Sequence, residues 1–150
     1  MKIVIAADHA GYDLKQSIIA FLNKQNLDVS DLGVDTAAVP ADYPDVAERV
    51  AQALTSGQAD RGVIVCGSGV GVSVAANKFR GIYAGLCHDT YSAHQGVEHD
   101  NMNVLCLGAR IVGIELAREI VNSFLNASFQ KEDRFLRRFN KVRGFEEDQL

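Results

Sequence analysis

The sequence predicts an α/β fold: one domain over residues 1–150, with three Rossmann-like layers. Five parallel strands are expected, with helices on both faces and an extra helix at the C-terminus. Three observations carry this expectation. Short β-branched or apolar runs alternate five times with longer stretches whose apolar residues recur at helical spacing. Four of the five strand ends carry residues suited to chemistry: Asp8 and His9, Cys66 to Ser68, Cys87 to Asp89, and Gly108 to Arg110. In open parallel sheets, ligands bind beyond those ends. Finally, 150 residues with 47% apolar side chains can bury a real core without staples.

Taken in order, Lys2 to Ala7 (KIVIAA) reads as a buried first strand, broken by Asp8, His9, Ala10 and Gly11. Leu14, Ile18, Ile19, Phe21 and Leu22 give Tyr12 to Gln25 the apolar stripe of an amphipathic helix. Leu27 to Leu32 alternates and reads as the second strand; a loop with Gly33, Thr36 and Pro40 follows. A helix is expected from Tyr43 and Pro44 to Thr55, stopped by Gly57. Arg61 to Cys66 is the third strand and Val70 to Lys78 the third helix. Gly81 to Cys87 and Val104 to Gly108 read as strands, with a helix over Thr90 to Glu98 between them. Gly113 to Leu125 is a strongly amphipathic helix, and the basic tail, Lys131 to Val142, is helical in composition. That last helix follows the completed sheet, so it either packs on its own domain or reaches a second subunit.

The bulk numbers exclude several classes. A formal charge of −4 gives no electrostatic reason to expect nucleic acid. No run of about 18 apolar residues exists, so no membrane span is expected. The N-terminus turns polar too soon for a signal peptide. The three cysteines, Cys66, Cys87 and Cys106, are odd in number and lie in or at the end of apolar runs. They do not read as a disulfide framework, and a reducing cytoplasm is the expected setting.

The densest motif is CGSGVGVS at 66–73, between strand and helix. A P-loop requires a lysine that this turn lacks. A Cys-x5-Arg phosphatase loop requires arginine where Val72 stands, and a dinucleotide fingerprint requires glycine there. What survives is a short anion cradle with Cys66 at its edge; a cysteine near a helix N-terminus can act as a thiolate. Cys87 and Cys106 read as core residues, and no Cys/His spacing matches a zinc site. Asp8 suits either an N-cap or a ligand position. His88, His94 and His99 lie within twelve residues, and His99 precedes the fifth strand, where it could reach over the sheet. Arg134 and Arg138 share a helical face that is either solvated or a phosphate clamp, and Arg110 is another anion candidate.

Five stretches together resemble the ribose-5-phosphate isomerase B family, which includes galactose-6-phosphate and allose-6-phosphate isomerases. They are IAADHAGYDLK at 5–15, ADYPDVA at 41–47, GVIVCGSGVGVSVAANK at 62–78, YSAHQGVEHDNMNVLCLGAR at 91–110 and GIELA at 113–117. The resemblance implies a cytoplasmic aldose–ketose isomerase without metal or other cofactor, acting on ribose 5-phosphate and ribulose 5-phosphate. Cys66 matches the general base and Ser68 the hydroxyl beside it. Backbone N–H groups of Gly67, Gly69, Val70 and Gly71 match the enediolate cradle. His99 matches the residue that opens the furanose ring. Asp8, counted with the catalytic set, and Tyr43 match contacts to substrate hydroxyls or ring. His9, Arg110, Arg134 and Arg138 match the phosphate site. That site is shared between subunits in the family, which implies a homodimer or a pair of dimers.

Two residues depart from the family pattern. Phe135 stands where histidine is usual, and Asp100 where asparagine is usual. A carboxylate at 100 would repel a phosphosugar or alter its hydroxyl contacts. The alternatives are a six-carbon substrate, such as allose 6-phosphate or galactose 6-phosphate, and a non-catalytic module that binds a phosphosugar or nucleotide.

Overall fold

A computed structural model describes residues 1–147. Its strands are Lys2–Ala7 (β1), Asp28–Asp31 (β2), Arg61–Cys66 (β3), Ala84–Leu86 (β4) and Val104–Gly108 (β5). Its helices are Tyr12–Asn23 (α1), Tyr43–Thr55 (α2), Val70–Ala76 (α3), Thr90–Asp100 (α4), Ile114–Asn126 (α5) and Asp133–Glu147 (α6). All strands are parallel, in the order β2-β1-β3-β5-β4.

Alternate residues of the central strands feed two cores, which is why those strands read as unbroken apolar runs. Ile3, Ile5, Val63, Val65, Leu105 and Leu107 face α1, α4 and α5. Val4, Ala6, Ile64, Cys66, Val104 and Cys106 face α2 and α3. Ile18, Leu22, Ile120 and Phe124 are fully buried against the first face, each contributing on the order of 1.5–3 kcal/mol.

This layering fixes where a ligand can sit. The neighbouring strands β1 and β3 are followed by α1 and α3, which leave to opposite faces. Their parting opens a crevice between the two strand ends, as at the switch point of a doubly wound sheet.

Several expected boundaries move. The fourth strand is only three residues, not 81–87. Gly81 has φ +80, and the Tyr83 N–H donates to Asn103 Oδ1 at 2.8 Å. The open edge is blunted by the Asn77 side chain, which donates to Ala84 O and accepts from Ala84 N–H, both at 2.9 Å. The second strand covers 28–31 rather than 27–32, and the first helix stops at Asn23 because Asn26 is left-handed. The third helix also stops short, at Ala76. The fourth runs to Asp100, where left-handed Asn101 closes it, and the fifth shifts by one residue.

The tail helix packs on its own chain. It starts at Asp133 and runs to Glu147, beyond Val142. Phe139 meets the edge of Tyr83 at 4.9 Å, and Glu146 accepts from Gly81 N–H and Tyr83 O–H at 3.2 and 3.4 Å. Burial, with Glu146 next in effect, holds the Tyr83 hydroxyl above its ordinary pKa.

One ion pair, with its ammonium buried and its carboxylate partly exposed, ties the end of β2 to α1. Lys15 is fully buried. Its ammonium donates to both Asp31 carboxylate oxygens, at 2.9 and 2.7 Å, and to Val34 O at 2.8 Å. Val34 N–H in turn donates to Ala7 O at the end of β1.

Candidate active site

The chain leaves β1 at Asp8, whose Oδ1 accepts from the N–H groups of Ala10 and Gly11 at 3.0 and 3.1 Å. Asp8 therefore closes the turn and does not cap α1; the N-cap is Gly11, with no side-chain bond. His9 follows, and its Nδ1 accepts the Ala41 N–H at 3.1 Å. A backbone N–H can only donate, so the neutral His9 ring carries its hydrogen on Nε2.

At the end of β3 the glycines serve different purposes. Gly69 is left-handed at φ +78, and a Cβ there would lie 2.5 Å from Leu86 and 2.8 Å from the Leu107 backbone. Gly71 leaves room for the Tyr43 ring, which a Cβ would meet at 2.9 Å. Gly67 lies beneath the Arg110 guanidinium, 3.4 Å from where a Cβ would be. The turn aims the Gly69 N–H at Cys66 Sγ (3.0 Å) and the Val70 N–H at Ser68 Oγ (3.3 Å). Two cradle donors thus already polarise the thiol and the hydroxyl. Ala109 and Arg110 N–H groups donate to Cys66 O and Gly67 O, locking the end of β5 to this turn.

Asp8, His9, Tyr43, Cys66, Gly67, Ser68, Gly71 and Arg110 together line a cleft of about 420 Å³, with Ala10 and Ile111 completing its wall. Neither Ala10 nor Ile111 carries a chemical signal in the sequence. The other two thiols behave as core residues. Burial first, then Asp89, pushes the Cys87 thiol up to about 11, and burial raises Cys106 still further. All three cysteines are free.

The remaining candidates lie elsewhere in the same chain. His99, in the last turn of α4, stacks on Phe135 of α6, with ring centres 4.1 Å apart and planes 14° apart. Its Nδ1 is 2.8 Å from Gln95 Nε2. Arg134 pairs with Glu132 at 2.9 Å and lies 4.4 Å from the Phe135 ring centre. Asp100 and Arg138 line a second hollow of about 330 Å³, walled by Tyr83, Met102 and Phe139. So His99, Asp100, Arg134 and Arg138 are not among the residues lining the Cys66 cleft. Sequence reasoning also missed Gln95, although its spacing of four from His99 put both on one helical face. Ala41 N–H and Lys15 left no such signal. Among the described residues, no helix is long and apolar enough to cross a membrane.

The fold and the relatives that share it make this chain an aldose–ketose isomerase of sugar phosphates. A model of the ribose/galactose isomerase family matches residues 3–142, and the chain belongs to that family. It is 43% identical over 129 residues to ribose-5-phosphate isomerase B of Escherichia coli, covering 86% of each chain. It is also 43% identical over 130 residues to D-erythrulose-4-phosphate isomerase of Pectobacterium atrosepticum, covering 87% of this chain and 86% of the relative. The solved ribose-5-phosphate isomerase B of Clostridium thermocellum superposes with a TM-score of 0.96, at 43% identity and full coverage of both chains.

Proposed function

We propose that the protein interconverts ribose 5-phosphate and ribulose 5-phosphate through an enediolate, in the cytoplasm, with Cys66 as the base. The observation that carries this is the Cys66 sulfur at the cleft, held by the Gly69 N–H at 3.0 Å among Asp8, Ser68 and Arg110. The Cys66 thiolate takes the C2 proton of the open-chain aldose; the electron pair moves into a C1–C2 double bond, and charge develops on O1. Ser68 Oγ relays the O2 hydroxyl proton to O1; returning the C2 proton to C1 then collapses the enediolate onto C2=O and gives the ketose. Ser68 and the backbone N–H groups of the glycine turn stabilise the oxygen charge. His9, through Nε2–H, and Arg110 hold the phosphate. Asp8 and Tyr43 face the sugar hydroxyls.

His99, Asp100, Arg134 and Arg138 enter this scheme from a second copy of the chain, as a homodimer or a pair of dimers. Val70, Val74 and Tyr91 are more than half exposed, and Leu86 is 38% exposed on the edge strand. They give the surface beside the cleft an apolar face suited to that contact.

A second reading rests on the equal similarity to the erythrulose 4-phosphate enzyme. A four-carbon 4-phosphate cannot close a five-membered ring through its phosphorylated O4, so it needs no ring opener. Assaying four-, five- and six-carbon phosphates side by side decides the substrate: the highest kcat/KM names it. Cys66→Ala tests the chemistry. Isomerisation should fall by roughly three orders of magnitude or more while sugar-phosphate binding persists; retained activity would remove Cys66 as the base.

A further inference from the structure

We propose that Gln95 is a positioning residue that sets which nitrogen of His99 carries the proton, leaving His99 to present Nε2–H to the substrate. This rests on the reading that His99 assists ring opening. Gln95 and His99 are four residues apart on α4, so their side chains meet on one face. The Gln95 amide nitrogen lies 2.8 Å from His99 Nδ1. An amide nitrogen only donates, so Nδ1 accepts and the neutral ring bears its hydrogen on Nε2.

The ring is held on a second side by another element. Phe135 covers its face at 4.1 Å and is itself only 2% exposed, so it has little room to move. With one face and Nδ1 engaged, Nε2 is the hydrogen-bonding edge left for a ligand. The charged neighbours are otherwise placed: Glu98 accepts His94 at 3.2 Å, and Arg134 is paired with Glu132. His9 and His88 follow the same logic, each accepting a backbone N–H, from Ala41 and Gly108. His99 differs because a replaceable side chain sets its tautomer.

The test is ¹⁵N NMR of histidine-labelled full-length protein at neutral pH, combined with two activity measurements. Wild type should show an acceptor-type Nδ1 and a protonated Nε2. In Gln95→Glu, which can only accept at that position, the proton should move to Nδ1; Gln95→Leu should give a mixture. Both variants should lose about tenfold in kcat on ribose 5-phosphate, which is mainly cyclic, a fraction of what a general acid or base supplies. Hydrogen exchange between solvent and ribulose 5-phosphate should change less than about twofold, because that ketose is open-chain and needs only the Cys66 step. A wild-type Nδ1–H, an unchanged tautomer in both variants, or equal losses on both sugars would overturn the proposal. Absence of exchange in the wild-type enzyme would count against the Cys66 reading, and the NMR pattern alone would then decide Gln95.

Discussion

The cleft between β1 and β3 and the corner between α4 and α6 are built by different physical means. In the cleft, main-chain N–H groups do the positioning: Gly69 onto Cys66, Val70 onto Ser68, Ala41 onto His9. The first two donors are set by the glycine turn after β3, and Ala41 by the loop between β2 and α2. In the corner, side chains position one another: Gln95 and Phe135 on His99, Glu132 on Arg134. Their geometry depends on where the last helix docks. In our proposal, the proton-transfer half therefore rests on the sheet, and the ring-opening half on helix packing and a second subunit, with phosphate contacts drawn from both.

The sharpest contrast is between Cys66→Ala and His99→Ala. The first should stop turnover of every substrate, by about 10³-fold or more; the second should lower turnover of cyclic ribose 5-phosphate by roughly 10²-fold and spare exchange on ribulose 5-phosphate. Steady-state kinetics with both sugars reads this, and equal losses from the two variants would erase the distinction between the regions.

The attachment of the chain after β2 can be broken at the Lys15–Asp31 pair. Asp31→Ala leaves a fully buried ammonium without its carboxylate and should cost about 3–5 kcal/mol in urea unfolding. Lys15→Met should cost less, because the Asp31 carboxylate it abandons is 36% exposed and can be hydrated. The reverse order would mean that the ammonium is not what holds the chain after β2.

Mixing the two inactive variants tests whether corner and cleft join across subunits. In a two-fold dimer with shared sites, a Cys66→Ala/His99→Ala heterodimer has one site with both changes and one with neither. Random re-association should restore about a quarter of wild-type activity on ribose 5-phosphate. No recovery in a mixture proved to exchange subunits would place both groups in one chain's site. Light scattering that found only monomer at assay concentration would do the same.

The smallest effect concerns the two core thiols, Cys87 and Cys106. Cys87 titrates near 11 in the folded protein against an ordinary 9.0, and Cys106 lies higher still. Below about pH 9, folded and unfolded chains both keep these protons. Between about 9 and 11 only the unfolded chain releases them, so stability is full below that window and falls as pH rises through it. Thermal melts from pH 8 to 11 should show this decline, shallower in Cys87→Ala than in wild type.

The sheet was readable because its signals are local. Val63, Ile64 and Val65, followed by Cys66 and glycine, announce a buried strand and turn whatever surrounds them. The same holds for Asp8–His9 and for Arg110, and all of these reached one cleft. Strand β4 was overread because its limits are set by Gly81, Asn77 and Asn103, which act through left-handed backbone and distant side-chain bonds. The length of α6 was underread because Glu146 holds its last turn against Tyr83, 63 residues away.

The α/β class, the strand-end clustering of Asp8, His9, Cys66, Ser68 and Arg110, and the family follow from periodicity and contiguous motifs, which are local to the chain. Only the tertiary structure decided that Asp8 closes a turn instead of capping a helix and that Lys15 is buried. It alone separated His99, Asp100, Arg134 and Arg138 from the cleft. The physical reason is that those outcomes depend on contacts between residues far apart in the chain, in which burial, ring stacking and hydrogen-bond geometry outweigh local preference.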